Sequence, residues 1–161
     1  MAYANTYFGR RLHTEPWDRA SPSDKQKALI QSSDALDRLA YRGTKTVATQ
    51  EREFPRDYNP GHLYWHSADA PVNQTWPTNV TDDSVLKACC ENALALLDGV
   101  DPDLEYQNNR IMHHNFAGVS TKMATEIERP HILCGLASFS AFKFIRPLLA
   151  DNHSIRLIRK S

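Results

Sequence analysis

The sequence predicts a mainly α-helical protein, a small bundle of about four helices, and three segments support this. Residues 82–99 form a long apolar-rich stretch, while 23–41 and 135–150 carry apolar residues three and four positions apart, the spacing of a helix face. At 161 residues, one domain covering 1–161 is the natural count. The remainder is predicted to be a long irregular loop (42–81), a short β-like arm and an extended C-terminal tail (151–161).

The segment 82–99 is expected to be the centre of the bundle. Thr81 or Asp82 can cap its first turn with a side-chain oxygen, and Gly99 can end it. Its apolar residues, at 85, 86, 89, 93, 94, 96, 97 and 100, are spread wider than one stripe. A helix with this pattern is wrapped by other helices. We therefore expect it to be the most buried element and to carry no functional site.

Two helices are expected before the loop. The first, over 5–12, is predicted to turn three apolar side chains inward: Tyr7, Phe8 and Leu12. The second, over 23–41, follows a serine and a proline that are typical of a helix start, and it is predicted to end at Gly43.

The loop 42–81 contains four prolines and two glycines and has no sustained periodicity. A loop of this length in a compact domain often has a function, which here is predicted to be subunit or partner contact. Its aromatic residues can stack on nucleobases, fix the loop to the core or fill a partner's pocket. Phe54 and Trp76 are assigned to the core, and Tyr64 and Trp65 to a subunit or partner interface.

After the central helix, Asp101-Pro102-Asp103 predicts a turn. Two short runs with β character, 110–113 and 119–122, flank Gly118 and predict a loose hairpin or arm. Val119 and Lys122 of this arm are assigned to the subunit or partner interface.

The last helix, 135–150, is predicted to bury five apolar residues: Phe139, Phe142, Ile145, Leu148 and Leu149. Pro147 should bend or fray its last turn. From Lys143 to Ser161 there are five basic residues and one acidic residue. Such an end either contacts nucleic acid or an acidic protein, or is a solvated tail. The tail residues assigned to partner binding are Ile155, Arg156, Leu157, Ile158, Arg159 and Lys160.

The composition argues against several classes of function. The net charge is zero, with 19 basic and 19 acidic residues, which disfavours a protein that grips nucleic acid over its whole surface. No apolar run is long enough to cross a bilayer, and three cysteines form no disulfide framework, so we expect a protein of a reducing cytoplasm. His62 and His66 are four apart, but Pro60 and Gly61 disfavour a helix there, and no metal site or cofactor is predicted. No catalytic motif is present in the sequence, so we expect no enzyme activity.

Several segments together resemble head–tail connector proteins of tailed phages, also called adaptor or head-completion proteins. The matching segments are Tyr7-Phe8-Gly9-Arg10-Arg11-Leu12 with Trp17, Asp37-Arg38-Leu39, Phe54-Pro55-Arg56, residues 85–97, Gly118-Val119-Ser120 and Arg146-Pro147-Leu148-Leu149. Some relatives are labelled as DnaT-like single-stranded DNA-binding proteins.

The resemblance implies a structural virion protein made in the host cytoplasm and placed in the virion neck. Its copies, commonly twelve, would form a ring beneath the portal protein, extend the channel for the genomic double-stranded DNA without binding it specifically, and dock a stopper or tail-completion protein. The tail would then bind the portal. The alternative is a single-stranded DNA-binding accessory protein that uses Tyr64, Trp65 and the basic tail. A more remote alternative is a bacterial regulatory helical domain.

Overall fold

The computed structural model describes residues 1–57, 83–109, 113–116, 119–122 and 129–150, and it confirms the mainly helical fold. The helices are α1 (Ala2–Phe8), α2 (Glu15–Arg19), α3 (Pro22–Asp37), α4 (Asp83–Leu97), α5 (Pro102–Asn109), α6 (Pro130–Leu133) and α7 (Phe139–Ile145), which continues as a 3₁₀ turn (Arg146–Leu148). The strands are β1 (Thr44–Lys45), β2 (Arg56–Asp57), β3 (His113–Phe116) and β4 (Val119–Lys122). None of the helices in these ranges is long and apolar enough to span a membrane.

Helix α4 is central, as the sequence predicted. It packs most extensively against α3 and α7, and it also contacts α1 and α2. Its buried residues are Val85, Ala88, Cys90, Glu91, Asn92 and Ala93. Gly99 has a φ of 90° just beyond the helix, a conformation that glycine adopts without strain. The two candidate capping residues, Thr81 and Asp82, lie outside the described ranges.

Two apolar clusters lie around α4. The larger contains Leu36, Tyr41, Val85, Ala88, Leu136, Ala141, Phe142 and Ile145. The smaller contains Ala4, Phe8, Trp17 and Cys90. Since α4 contributes residues to both clusters, the N-terminal helices and the C-terminal helices are each fixed to the same central element.

Two buried polar side chains join α4 to its main neighbours. Ser32 of α3 donates from Oγ to the carbonyl oxygen of Cys89 at 2.8 Å. Asn92 accepts from the backbone N–H of Ala137, just before α7, at 2.8 Å. Asn92 is 1% exposed, and its Nδ2 has no hydrogen-bond partner. The apolar periodicity did not predict the burial of Asn92 or of its neighbour Glu91, because both are polar.

The N-terminal boundaries differ from the sequence prediction. Helix α1 ends at Phe8, and Leu12 is 82% exposed, so the prediction that Leu12 is buried is wrong. The chain leaves α1 at Gly9 and forms the separate helix α2, which the sequence analysis missed. Helix α3 ends at Asp37, and Gly43, with a φ of 73°, lies instead at the entry to β1.

The described start of the long loop is more ordered than predicted. β1 and β2 pair antiparallel, with Thr44 opposite Asp57 and Lys45 opposite Arg56. The centre of the Phe54 ring lies 4.6 Å from the centre of the Tyr41 ring. The prediction that Phe54 fixes the loop to the core is therefore confirmed. Residues 58–82, with Trp76, lie outside the described part of the chain.

Asp101-Pro102-Asp103 begins helix α5 and is not a simple turn. The Asp101 carboxylate accepts from the N–H groups of Asp103 and Leu104 at 3.0 and 3.3 Å. These are N–H groups that the first turn of a helix leaves without a backbone partner, so the aspartate acts as an N-terminal cap.

The last helix, predicted over 135–150, begins later, at Phe139, and ends as an α-helix at Ile145. Gly135 ends α6 with a φ of 73°, and Ser138 then caps α7 by accepting from the N–H of Ala141 at 3.2 Å. The change to a 3₁₀ turn around Pro147 confirms that this proline disturbs the helix end. Leu149 then forms an antiparallel bridge with Tyr41.

Candidate nucleic-acid interface

Most residues that the sequence assigned to interfaces lie outside the described ranges. These are Tyr64, Trp65, Ile155, Arg156, Leu157, Ile158, Arg159 and Lys160. The predicted arm is present as a β3–β4 hairpin with a shifted first strand. In it, Phe116 pairs with Val119 and His113 pairs with Lys122. Two of the assigned residues, Val119 and Lys122, therefore share one strand.

The described residues point to a different surface, on α6 and α7. Residues 129–150 contain Arg129, Lys143 and Arg146 but no aspartate or glutamate. The same stretch presents exposed apolar side chains, with Leu133 63% and Phe139 47% exposed. We call the surface formed by His131, Phe139, Lys143 and Arg146 the basic aromatic surface.

The local sequence explains why Phe139 is exposed. The Ser138 cap makes Phe139 the first residue of α7, at the margin of the bundle, while Phe142 and Ile145 point into the core. The prediction that Phe139 belongs to the buried face is therefore wrong. Lys143 and Arg146 follow Phe139 at four and seven positions, so all three lie along one face.

Aromatic and cationic groups contact each other on this surface. The Lys143 Nζ lies 4.8 Å from the centre of the Phe139 ring. The rings of Phe139 and Phe142 are stacked, with their centres 6.4 Å apart. Lys143 is exposed and its chain is flexible, so it can move aside for a flat ligand and remain beside it. The arrangement provides an aromatic face next to a positive charge.

His131 borders the Phe139 ring edge-on, with the ring centres 5.4 Å apart. Its Nδ1 is buried without a hydrogen-bond partner. Burial, and the positive charge of Arg129, lower the pKa of His131, so the imidazole is neutral at pH 7. Arg129 forms an ion pair with Glu105 of α5 at 2.7 Å, which fixes the start of α6 to α5.

This surface has the chemistry of single-stranded nucleic-acid binding. A nucleobase can stack on an exposed aromatic ring, and cations on the same face can contact the phosphates on either side. Residues 129–150 contain no carboxylate that would repel phosphate, and the nearby Glu105 is paired with Arg129.

An open cleft of about 680 Å³ beside the C-terminal end of α4 is a poorer candidate. It lies between α2, the start of α3 and the end of α4, and its lining includes Glu15, Asp24 and Asp98. Three carboxylates against His13 and Arg19 do not favour a phosphate ligand. Within the described ranges, no group of His, Cys, Asp or Glu is arranged to hold a metal ion.

Sequence reasoning assigned aromatic contacts to the loop and missed the basic aromatic surface. The absence of acidic residues from 129–150 was a signal available in the sequence. The exposure of Phe139 was not available, because it depends on where the helix begins.

A comparison with protein families gives one match. A family model described as "Putative DnaT-like ssDNA binding protein" matches residues 1–159. The chain belongs to this family. No curated protein and no solved structure matches the chain. Membership in the DnaT-like family accords with one of the labels that the sequence resemblance suggested, while the phage connector identity is not confirmed.

Proposed function

We propose that this protein binds single-stranded DNA through the basic aromatic surface. The observation that carries the proposal is Phe139, a half-exposed aromatic ring beside Lys143 in a stretch without acidic residues. Membership in the DnaT-like family supports it, since the description of that family names single-stranded DNA binding. No catalytic step is proposed.

The size of the surface sets the expected strength of binding. Stacking on one aromatic ring contributes about 1–3 kcal/mol per base, and each phosphate contact adds a term that weakens with salt. With one ring, two nearby cations and a net charge of zero, binding by one copy should be weak, salt-dependent and tolerant of sequence.

The test is fluorescence anisotropy with a labelled oligothymidine at low salt, and with a duplex of equal length. Phe139→Ala should weaken binding to the single strand about tenfold, since tenfold corresponds to about 1.4 kcal/mol. Tyr106→Ala is the matched control. The exposed fraction of Tyr106, 42%, is similar to that of Phe139, but Tyr106 lies on α5 beside Asp103 and Glu105.

Two results would refute the proposal directly, and a third, from the control variant, would count against it. One is the absence of single-strand binding by the wild-type protein at low salt. The other is equal affinity of wild type and Phe139→Ala. Equal weakening by Tyr106→Ala would also count against it, since it would mean that any exposed aromatic ring contributes.

A second candidate function is the head–tail adaptor of a phage particle. It is supported by motifs that resemble connector proteins and by the β3–β4 hairpin, whose second strand begins at Val119 of one of those motifs. In this proposal the protein forms a ring, with twelve copies expected, at the virion neck. The ring joins the portal protein to a stopper or tail-completion protein, and its neutrality lets double-stranded DNA pass.

Light scattering and electron microscopy separate the two candidates. An adaptor should form rings, alone or on portal-containing heads, and should not retain oligonucleotides. A single-stranded DNA-binding protein should retain oligothymidine and leave portal-containing heads unoccupied. Truncation after Asp151, which removes the predicted portal-binding tail, should abolish attachment to heads only if the adaptor proposal is right.

A further inference from the structure

We propose that two copies of this protein associate through a symmetric contact, in which Leu12 of each copy enters the cleft beside the C-terminal end of α4 in the other copy. The inference goes beyond the proposed function, because it concerns a face of the molecule that the basic aromatic surface does not include. Two features of this face support it: an exposed apolar side chain, and an open cleft directly beside that side chain.

Leu12 is held in an exposed position. At 82% it is the most exposed large apolar side chain of the described residues. The chain is anchored on both sides of it, because Arg11 donates to the Tyr7 oxygen at 2.7 Å and pairs with Glu91, and because Trp17 of α2 is only 3% exposed. A side chain on a segment that is already fixed loses little conformational freedom on association. Leu12 is therefore suited to be an anchor at an interface.

The cleft lies next to Leu12 and can receive an apolar group. His13, which directly follows Leu12, is one of its lining residues. The lining also includes Pro16, Leu96 and Leu97, and both leucines are only partly buried. A volume of about 680 Å³ is within the range of cavities that hold a drug-sized ligand, so a leucine side chain fits.

Charge complementarity identifies a second copy as the occupant. The segment between α1 and α2 is basic, and its Arg10 side chain is exposed. The cleft is lined by three carboxylates and one arginine, so its charge is negative. Two of these carboxylates, Glu15 and Asp98, are exposed. When Leu12 enters the cleft of the second copy, Arg10 comes with it and can pair with Asp98 at the edge.

The closeness of Leu12 to the cleft determines the symmetry. In a two-fold dimer the same patch of surface contacts itself, so a protruding group and the site that receives it must lie side by side. Leu12 and the cleft meet this condition, because Leu12 directly precedes a lining residue. Each copy then contributes one leucine and one cleft, and association ends at two copies.

The dimer leaves the basic aromatic surface open. On α4, Cys90 packs in the smaller cluster with α1 and α2, whereas Asn92 accepts from the residue before α7. Successive residues of a helix are about 100° apart around its axis, so these two side chains point about 200° apart. Helices α2 and α7 therefore lie on different sides of α4, and a dimer through the cleft carries two copies of the surface on α7.

The experiment is sedimentation velocity without DNA, at protein concentrations from about 10 μM to about 1 mM, because an interface of this size is expected to be weak. The mass of the wild type should rise from that of one copy towards that of two. Leu12→Ser should raise the dissociation constant about 100-fold, since two leucines are lost per dimer and each contributes about tenfold. Leu133→Ser is the matched control. Leu133 is 63% exposed but lies on α6, so its replacement should leave the association unchanged.

Exchange of charges tests the identity of the partner. Arg10→Glu alone, or Asp98→Lys alone, places like charges at both contacts of the dimer and should weaken association. A mixture of the two variants should restore it, because in the mixed pair each new charge faces its opposite and the two unchanged residues face each other. Both positions are exposed, and a lysine after the last turn of α4 suits the helix dipole, so both variants should fold. Circular dichroism and thermal melting verify this.

Four results would each overturn the inference. They are a wild type that stays monomeric over the whole concentration range, masses that continue to rise beyond two copies, a Leu12→Ser variant that associates as the wild type does, and a mixture of the charge variants that associates no better than either alone. Since none of these measurements contains DNA, their failure is distinct from a failure of the proposed function, which oligothymidine binding decides.

Discussion

The contact between α1 and α4 predicts an unequal response to two substitutions in one ion pair. Tyr7 donates from its hydroxyl to Glu91 Oε1 at 2.5 Å, Arg11 donates from Nη1 to the Tyr7 oxygen at 2.7 Å, and Arg11 pairs with Glu91 directly. Burial raises the pKa of Tyr7, so its hydroxyl remains protonated at neutral pH. Glu91 is only 4% exposed, whereas the side chain of Arg11 is 36% exposed.

The magnitudes follow from this difference in exposure. Arg11→Met removes the charge that compensates a buried carboxylate, and breaking a buried pair in this way costs about 3–5 kcal/mol. The partial exposure of Arg11 places the expected loss at about 3 kcal/mol. Glu91→Gln leaves an arginine that can turn to water and a side-chain oxygen that still accepts from Tyr7. The loss should then be about 1 kcal/mol, that of a typical hydrogen bond.

The assay is urea unfolding at pH 7, followed by circular dichroism and by tryptophan fluorescence, to which Trp17, in the same cluster as α1, contributes. The double variant Arg11→Met/Glu91→Gln should be more stable than Arg11→Met alone, because the buried charge has been removed. The reasoning is refuted if the two single variants lose equal stability, or if Glu91→Gln is the more damaging.

Three further predictions concern buried groups. Ala93→Asp should lower the free energy of unfolding by about 3 kcal/mol or more, because Ala93 is 0% exposed in the centre of α4. A melting midpoint near that of the wild type would contradict this. Burial raises the pKa of the Cys90 thiol to about 12, and it also raises the pKa of the Cys89 and Cys134 thiols. All three thiols should therefore react slowly with a disulfide reagent at pH 8 and rapidly in urea. Because the pKa of His131 is lowered in the folded state, its contribution to stability is present above the unfolded value of about 6.5 and is lost as the pH falls through the folded pKa. Replacement of His131 by Phe should therefore reduce the fall in melting midpoint between pH 7.5 and pH 5, and an unchanged pH profile would refute the assignment.

The helices with the clearest apolar periodicity were predictable from sequence. Helix α4 and the body of α3 have apolar residues at regular spacing, and their burial is dominated by that pattern. The short helices were not predictable in the same way. Helix α2 has five residues and is held by the burial of Trp17 against the smaller cluster, a contact between distant parts of the chain.

The candidate site was less predictable because it depends on helix ends. A continuous helix over 135–150 would have placed Phe139 on the buried face. In the structure Gly135 lies in the turn after α6, and the helix begins only at Phe139, after the Ser138 cap. The exposure of one aromatic ring therefore follows from a glycine four positions before it and from the serine that directly precedes it. The absence of aspartate and glutamate from residues 129–150 was visible in the sequence. The position of these residues on one surface was not.

The two buried hydrogen bonds of α4 determine the offset and rotation at which the neighbouring helices pack against it. Apolar side chains alone tolerate small slides and rotations between helices, since a shifted contact remains apolar. The bonds from Ser32 to the Cys89 carbonyl and from Ala137 to Asn92 are directional, so each is satisfied at one offset and one rotation only. The first bond fixes the position of α3 against α4, and the second fixes the position of the residues that lead into α7. Both halves of the chain are therefore aligned on α4, and hydrogen bonds in the interior determine the orientation of the surface on α7.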